Sequence, residues 1–231
     1  MKYRHLFFDL DHTLWDFEAN ARATLQDLYD VLDLRERGVD DFDLFYRNYL
    51  DHNERLWEQY RNGKIKQEDL RIKRMRQSLL DFKIADEELA KAMSVQFLVR
   101  LPTRTILFPF TKEILTYLST KGYKLHLLTN GFETTQFSKL KHSGLNVFFK
   151  EVITSESSGS LKPNKEIFEY ALKKAKALPN ESIMLGDTLD VDIQGAINAG
   201  IDQVFVNHHR IPCHIQPTYM VYSLKELENI F

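Results

Sequence analysis

Short apolar segments that end in polar or small residues recur along the chain and constrain its fold more than any other feature. From Lys124 onward, segments whose apolar residues have helical spacing separate most of them. Buried strands that alternate with amphipathic helices indicate βαβ units and a parallel sheet covered by helices on both faces. The predicted strands are residues 5–9, 124–129, 151–154, 182–186, 203–206 and 219–222.

The region from Trp15 to about Thr105 has a different pattern. Four successive sets of apolar residues follow the helical period there, and Gly63 and Pro102 lie where helices could end. Because this region separates the first strand from the rest of the sheet, we predict an all-α helical cap inserted into a Rossmann-like, three-layer α/β core. The predicted boundaries are 1–14 and 106–231 for the core and 15–105 for the cap.

Two carboxylates, Asp9 and Asp11, follow the first predicted strand. Asp9 lies at the carboxyl end of a buried strand, which is where ligands bind in open α/β sheets. Two carboxylates so close together are costly unless they share a positive group. A divalent cation such as Mg²⁺, which prefers oxygen ligands, meets this need. A surface turn is the alternative interpretation, because Asp also favours turns.

A second group of carboxylates follows the strand predicted at 182–186, in the segment GDTLDVD (residues 186–192). Gly186 would permit a close backbone approach. Helix capping and the helix dipole alone could explain Asp190 and Asp192, which precede a helix. They explain Asp187 less well, because it would duplicate a cap that Asp190 or Asp192 could supply.

A hydroxyl group and a lysine lie at two further positions of this kind. Thr129, Asn130 and Gly131 follow a predicted strand and precede a helix, whose free N–H groups could bind an anion with the Thr129 hydroxyl. Lys162 precedes a helix opened by Pro163. Taken alone, the tripeptide could be an ordinary turn, and Lys162 would be expected to lie in solvent.

The order and placement of these residues indicate phosphoryl transfer. Together they would bring several carboxylates, a cation, a hydroxyl and free amides to one edge of the sheet. Such a set supplies a carboxylate nucleophile and a second carboxyl group for acid–base catalysis. Mg²⁺ and a lysine would neutralise the oxygens of the transferred group.

At these residues the chain resembles the haloacid dehalogenase-like hydrolase superfamily, and within it the phosphatases with an inserted helical cap. The segments DLDHTLW (9–15), LLTNGF (127–132) and GDTLDVDIQGA (186–196) look most like the bacterial pyrimidine 5′-nucleotidase branch, which removes noncanonical nucleotides. One departure is visible: many relatives have Pro-Gly where this chain has Pro109-Phe110, near the predicted return from cap to core.

The resemblance implies a phosphoric monoester hydrolase, namely a 5′-nucleotidase for noncanonical pyrimidine nucleoside monophosphates. Asp9 would be the nucleophile that forms an aspartyl-phosphate. Asp11 would protonate the leaving group and then activate water, and Lys162 would stabilise the phosphoryl group. The residues that would bind the phosphoryl group are Thr129, Asn130 and Gly131.

The resemblance also implies a magnesium site and a substrate contact. Asp9, the backbone carbonyl of Asp11 and Asp187 would hold Mg²⁺, and Asp192 would act mainly through metal-bound water. Asp190 has no such counterpart and is expected to be a surface or capping residue. Trp15, directly after the first motif, is placed to reach substrate when the cap closes.

Several other functions stay open at this point. A sugar-phosphate phosphatase or a sugar-phosphate mutase would share all four core motifs, which are centred on Asp9, Thr129, Lys162 and Asp187. A haloacid dehalogenase proper lacks the second Asp, so Asp11 argues against it, and no feature marks Lys64 or Lys66 as the Schiff-base lysine of a phosphonate hydrolase. A phospho-acceptor switch also combines Asp, Thr and Lys, but such receivers are much shorter and have no helical insertion. A binding protein without activity would be expected to have lost some of these residues.

Two further groups of residues have simpler explanations than function. The segment with His208, His209, Cys213 and His214 could suggest zinc, but its spacing fits no standard closed site, so solvated or partly packed side chains are expected. Aromatic residues of the predicted cap could stack on a nucleobase, but helical spacing is more typical of a core. They are Tyr46, Tyr49, Trp57 and Tyr60.

Charge balance and cysteine content limit the partners and the compartment. The 231 residues include 31 basic and 33 acidic side chains, for a net charge of −2, so nothing points to a nucleic acid polymer or an anionic membrane. The single cysteine, Cys213, fits a reducing compartment, and no apolar run has the length of a signal peptide or a membrane span. We therefore expect a cytoplasmic monomer or homodimer that binds a small phosphate ester such as a nucleotide or sugar phosphate.

Overall fold

A computed structural model describes residues 2–231 of the chain. Contacts divide them into two compact units: the first runs up to Phe17 and resumes at Thr105, and the second is Glu18–Arg104. Trp15 and Phe17, which the sequence pattern assigns to the cap, therefore belong to the first unit. The identification of the two units as a catalytic core and a cap stays a prediction.

The first unit contains a six-stranded parallel sheet. Its strands are β1 His5–Phe8, β2 Lys124–Thr129, β3 Phe149–Thr154, β4 Ser182–Gly186, β5 Asp202–Val206 and β6 Tyr219–Val221. The strand order is β3-β2-β1-β4-β5-β6, and every neighbouring pair is parallel, which confirms the predicted fold class. β3 begins two residues earlier than predicted because Phe149 already pairs with Leu125, before a shift of register.

β1 occupies the point of the sheet that matters most for ligand binding. Phe8, its last residue, pairs with Leu127 of β2 on one side and with Leu185 of β4 on the other. The chain runs from β1 to β2 and β3 and then returns to the opposite side of β1. The strand order thus reverses at β1, and in such sheets the crevice beyond the carboxyl ends at this point is the usual binding site.

The second unit is helical, as predicted for the insertion. Its helices are α1 Phe17–Val31, whose first residue still belongs to the first unit, α2 Phe42–Arg61, α3 Gln67–Leu80 and α4 Glu87–Arg100. Asp41 and Asp86 precede α2 and α4, and each carboxylate accepts a hydrogen bond from the backbone N–H three residues later, which satisfies an otherwise unpaired donor. The rings of Tyr49 and Phe97 pack 5.6 Å apart between α2 and α4.

The aromatic residues of α2 divide into two kinds. Tyr46 and Tyr49 are buried, which agrees with their expected role in the core, whereas Trp57 and Tyr60 are partly exposed. The rings of Trp57 and Tyr60 meet edge to face, with their centres 5.7 Å apart. No helix in the described residues combines the length and the apolar character needed to cross a membrane.

Five more helices belong to the first unit. They are α5 Thr111–Thr120, α6 Glu133–Ser143, α7 Ser155–Ser158, α8 Lys165–Ala175 and α9 Gln194–Asn198. Ile167 and Phe168 of α8 pack into one apolar cluster with Leu128 of β2 and Met184 of β4. Burial of this size stabilises the fold by about 1.5–3 kcal/mol for each large apolar side chain, and it fixes the helices against the strands that carry the polar residues described below.

Phe110, near the predicted return from cap to core, has an unusual backbone conformation. Its φ angle is 68°, in the left-handed region that favours glycine, and α5 begins at the next residue. A glycine adopts this conformation without steric cost, whereas Phe110 adopts it against the clash of its Cβ. This chain therefore adopts a left-handed backbone here with a residue less suitable than glycine.

Candidate active site

The polar residues predicted to act together do converge at the carboxyl ends of β1, β2 and β4. Asp9, Thr129 and Asp187 are either the last residue of one of these strands or the residue directly after it. The backbone N–H of Asp9 donates to the Leu185 carbonyl at 2.9 Å, which extends the pairing of β1 and β4 by one residue. Neighbouring strands therefore hold Asp9 and Asp187 beside each other.

Lys162 is the cation of the site, and it is buried instead of lying in solvent as its position alone suggests. Only 2% of it is exposed. Its Nζ donates to Oδ1 of Asp9 and to Oδ1 of Asp192, both at 2.7 Å, and to the Leu128 carbonyl at 2.8 Å. Burial alone would lower the pKa of Lys162, but the charges of Asp192 and Asp9 raise it above its usual value. The lysine therefore stays charged.

One lysine does not balance the carboxylates around it. Carboxylate oxygens of Asp9, Asp187 and Asp192 lie within 4.8 Å of one another. Burial, together with the charges of Asp192 and Asp187, raises the pKa of Asp9 to about 8 despite Lys162. Burial and the charge of Asp192 likewise raise the pKa of Asp187 to about 7, although the Thr13 hydroxyl donates to it at 2.9 Å. The cluster is short of positive charge.

Two glycines leave room for side chains of the site. A Cβ on Gly186 would overlap the carboxyl group of Asp192, and a Cβ on Gly131 would overlap the side-chain amide of Gln136. With Gly186 in place, Asp192 reaches Lys162 and also accepts a hydrogen bond from the Thr188 N–H at 3.1 Å. Gly186 and Gly131 are therefore needed for close approach and not for an unusual turn.

Thr129 is arranged to donate a hydrogen bond. Its Oγ1 accepts from Nε2 of Gln136 at 2.7 Å and from the Gly131 N–H at 3.1 Å. A hydroxyl that accepts twice still has its own proton to donate. This arrangement suits an anionic ligand, which needs donors.

Asn130 contacts the backbone of Lys162 through both ends of its side-chain amide. Its Oδ1 accepts from the Lys162 N–H at 2.7 Å, and its Nδ2 donates to the Lys162 carbonyl at 2.9 Å. This pair of bonds fixes the lysine beside β2. The contact of Asn130 with a phosphoryl group stays a prediction. Because both ends of its side-chain amide bond Lys162, the main chain of Asn130 would make this contact.

Asp11 lies apart from the three clustered carboxylates and has its own partners on α6. Nζ of Lys139 donates to its Oδ1 at 2.5 Å, and Nε2 of Gln136 donates to its Oδ2 at 2.9 Å. Lys139 also lies over the ring of Trp15, 4.3 Å from the ring centre. Trp15 is fully buried, so its predicted contact with substrate stays a prediction.

The comparison with known families decides what kind of protein carries this site. Residues 3–200 match the family of haloacid dehalogenase-like hydrolases. The chain belongs to this family. Similarity to individual proteins of the haloacid dehalogenase-like hydrolase family extends over almost the whole chain.

Two relatives are similar from end to end. The pyrimidine 5′-nucleotidase PynA of Streptococcus pneumoniae (strain ATCC BAA-255 / R6) is 34% identical over 230 residues, which are 98% of this chain and 94% of that protein. The pyrimidine 5′-nucleotidase YjjG of Escherichia coli (strain K12) is 33% identical over 234 residues, covering 100% and 98%. Among solved structures, the HAD-hydrolase YfnB from Bacillus subtilis bound to magnesium superposes with a TM-score of 0.89, at 27% identity, over 100% of this chain and 99% of that chain.

Haloacid dehalogenase-like hydrolases generally use Mg²⁺, and the residues of this chain fit that ion. The group Asp9, Asp187 and Asp192 offers only carboxylate oxygens, which are the ligands that Mg²⁺ prefers. Its shortage of positive charge, expressed in the raised pKa values of Asp9 and Asp187, is what a divalent cation would relieve. The part of Asp11 in holding the ion, through its backbone carbonyl, stays a prediction.

The histidines near the end of the chain have other partners. Nε2 of His208 lies 3.0 Å from the Thr13 carbonyl, and its ring stacks on Phe108 with the centres 3.9 Å apart. His214 pairs with Asp190 at 3.1 Å on the surface. In residues 2–231, the only group of acidic, histidine or cysteine side chains placed to hold a metal is Asp9, Asp187 and Asp192.

Sequence reasoning missed two residues of the site, Gln136 and Lys139. Both lie on α6, three residues apart, and both are at least 97% buried. The helical pattern does show that they share a face. It does not show that this face meets Asp11, which is 125 residues from Gln136 along the chain.

Proposed function

We propose that this protein is a phosphoric monoester hydrolase that acts through an aspartyl-phosphate on Asp9. The observation that carries the proposal is the placement of Asp9: it lies at the carboxyl end of β1, bonded to Lys162 and beside Asp187 and Asp192. A nucleophilic carboxylate needs a positive environment for the phosphate that it attacks. Asp11, two residues later, would supply the proton transfers.

The first half of the reaction makes the covalent intermediate. An oxygen of Asp9 attacks phosphorus, the bond from phosphorus to the leaving oxygen breaks, and that oxygen takes the proton of the Asp11 carboxyl group. The products are the aspartyl-phosphate, the free alcohol and the Asp11 carboxylate. Lys162 and the Thr129 hydroxyl would stabilise the negative oxygens of the transferred group.

The second half returns the enzyme to its starting state. The Asp11 carboxylate takes a proton from water, the water oxygen attacks phosphorus, and the bond to Asp9 breaks. Phosphate leaves, Asp9 is a carboxylate again, and Asp11 again carries its proton. When bound by Asp9, Asp187 and Asp192, Mg²⁺ would supply charge that neutralises the phosphoryl oxygens.

The substrates that we propose are pyrimidine nucleoside 5′-monophosphates, including noncanonical ones. Full-length similarity to two pyrimidine 5′-nucleotidases supports this choice. Trp15 would affect substrate choice through its contact with Lys139, and substitution of Trp15 should change the relative rates on different esters.

Phosphate release from a panel of esters tests the proposal. The panel contains pyrimidine and purine nucleoside monophosphates, sugar phosphates and an aryl phosphate, each with and without Mg²⁺. We expect metal-dependent release that is fastest on deoxy or modified pyrimidine monophosphates and is abolished in Asp9→Asn. Preference for sugar phosphates would retain the chemistry and refute the nucleotidase assignment, whereas no release from any ester by folded protein would refute both.

A further inference from the structure

The carboxyl group of Asp11 is held at both oxygens by one helix. Lys139 donates to Oδ1 at 2.5 Å, and Gln136 donates to Oδ2 at 2.9 Å. Lys139 is 3% exposed and Gln136 is fully buried, so water competes little for either donor. Hydrogen bonds of this kind, to a charged group and away from water, are among the strong ones.

Lys139 depends on Asp11 for its counter-charge. Asp11 is the only carboxylate in the described part of the chain that forms an ion pair with it. Its Nζ also lies over the aromatic rings of Trp15 and Phe17, 4.3 and 5.7 Å from the ring centres. Aromatic faces attract a cation but do not neutralise it. A buried ion pair often adds little to the stability of a fold. The placement of Lys139 beside Asp11 therefore calls for a functional explanation.

Gln136 links Asp11 to the residue predicted to bind phosphate. Its Nε2 donates both to Oδ2 of Asp11 and to Oγ1 of Thr129, at 2.9 and 2.7 Å. An amide nitrogen has two protons, so both bonds can form at once. Gly131 leaves the space that this amide occupies. One side chain thus fixes the distance between the Asp11 carboxyl group and the Thr129 hydroxyl.

We propose that Gln136 and Lys139 are positioning residues that direct the proton of Asp11 to the leaving group. Both contact Asp11 through N–H groups that only donate, so neither can accept its proton. The two bonds hold both oxygens of Asp11 from the side of α6 and so fix the orientation of its carboxyl group. When the proton passes to the leaving oxygen, the ammonium of Lys139 stabilises the carboxylate that results, and the same carboxylate later takes a proton from water. This inference rests on the proposed function.

The need for an acid depends on the leaving group, and this dependence provides the test. A nucleoside 5′-hydroxyl is a poor leaving group without a proton, whereas the 4-nitrophenolate of an aryl phosphate leaves unaided. The ratio kcat/KM reports formation of the aspartyl-phosphate and excludes its later hydrolysis. Loss of correctly placed proton donation should therefore lower kcat/KM on the nucleotide much more than on the aryl ester.

The variants are Lys139→Met and Gln136→Met, each of which removes one of the two donors. We expect each to lower kcat/KM for a pyrimidine nucleoside monophosphate by about 10²-fold, and for 4-nitrophenyl phosphate by less than about 3-fold. Lys141→Met, which removes an exposed lysine of the same helix, is the matched control and should change neither value. Circular dichroism and the melting temperature establish that each variant is folded. Two variants keep the test valid if one of them fails to fold.

The outcomes separate this inference from the proposed function. Equal losses on both substrates would mean that Gln136 and Lys139 support the fold only, and unchanged kinetics would mean that Asp11 needs no positioning. Either result overturns the inference while the hydrolase assignment stands. A wild-type protein that releases no phosphate from either ester would refute the proposed function and the inference with it.

Discussion

Magnesium should bind this protein more tightly as the pH rises from about 6 to about 8, because its ligands must first lose protons. In the absence of a cation, burial raises the pKa of Asp9 to about 8 and that of Asp187 to about 7. At the lower pH both carboxyl groups are largely protonated, and each bound proton competes with the metal ion. At the higher pH most of this competition has disappeared.

The size of the effect follows from these two pKa values. Proton competition at Asp9, with a pKa of about 8, weakens Mg²⁺ binding about 100-fold at pH 6 and about 2-fold at pH 8. Competition at Asp187, with a pKa of about 7, weakens it about 10-fold at pH 6 and hardly at all at pH 8. The apparent affinity should therefore increase by a factor on the order of 500 over this range, which corresponds to about 4 kcal/mol.

Isothermal titration calorimetry in buffers of different ionisation enthalpy measures both the affinity and the protons released. We expect about two protons per Mg²⁺ at about pH 6 and about half a proton at about pH 8. Asp187→Asn should lower the release at the lower pH to about one proton, whereas the exposed Asp190→Asn should leave it unchanged. An affinity that varies less than about 3-fold, with almost no proton release, would refute the argument, because the two carboxylates would then be ionised in spite of their burial.

Three further predictions concern stability. Lys162→Met leaves two buried carboxylates without their shared cation, and in metal-free urea unfolding it should cost about 3–5 kcal/mol. Burial and the charge of His5 lower the pKa of His126 to about 3. Between about pH 6.5 and about pH 3 the unfolded chain binds this proton and the folded chain does not, so stability should fall by about 1.4 kcal/mol per pH unit as the pH drops through this range. His126→Phe should reduce this slope in urea titrations at several pH values. Phe110→Gly relieves a left-handed backbone and should stabilise the protein by about 1 kcal/mol in thermal unfolding.

Each of these has a result that would contradict it. Unchanged stability of Lys162→Met would mean that the carboxylates are already neutral or hydrated. An equally steep loss of stability with acid in His126→Phe would assign the slope to other groups. The centre of the Phe110 ring lies 5.5 Å from Nζ of Lys225. A less stable Phe110→Gly would mean that the packing of this ring outweighs the backbone strain.

The strands and the polar residues at their carboxyl ends could be predicted because their signals are local. A short apolar run followed by an acid or a hydroxyl is visible in a few residues, and parallel strands bring their carboxyl ends to one edge whatever lies between them. Asp9, Thr129 and Asp187 do lie at the ends of neighbouring strands, and their roles stay predictions. The helical insertion was visible for the same reason, as a long run of one periodicity.

The remaining features depend on contacts between residues far apart in the chain. Lys162 is expected to be exposed from its neighbours in sequence, and it is buried because Asp9 and Asp192 reach it from 153 and 30 residues away. In the sequence, Gln136 and Lys139 are two residues of an ordinary helix face, and only the folded chain places Asp11 against that face. The left-handed φ of Phe110 leaves no trace in a single sequence, since the residue present is not the one that the backbone favours.

Trapping the phosphorylated protein tests the central claim, that Asp9 is the nucleophile, most directly. Asp11→Asn should still transfer phosphate from 4-nitrophenyl phosphate, which needs no acid, but should hydrolyse the intermediate slowly because it lacks the base. In a rapid-quench experiment in Mg²⁺, we predict one equivalent of 4-nitrophenol and a hydroxylamine-sensitive phosphate on the peptide that contains Asp9. That phosphate should be absent when Asp9→Asn is added. A burst of 4-nitrophenol with no phosphate on the protein, or with phosphate on another residue, would contradict the account.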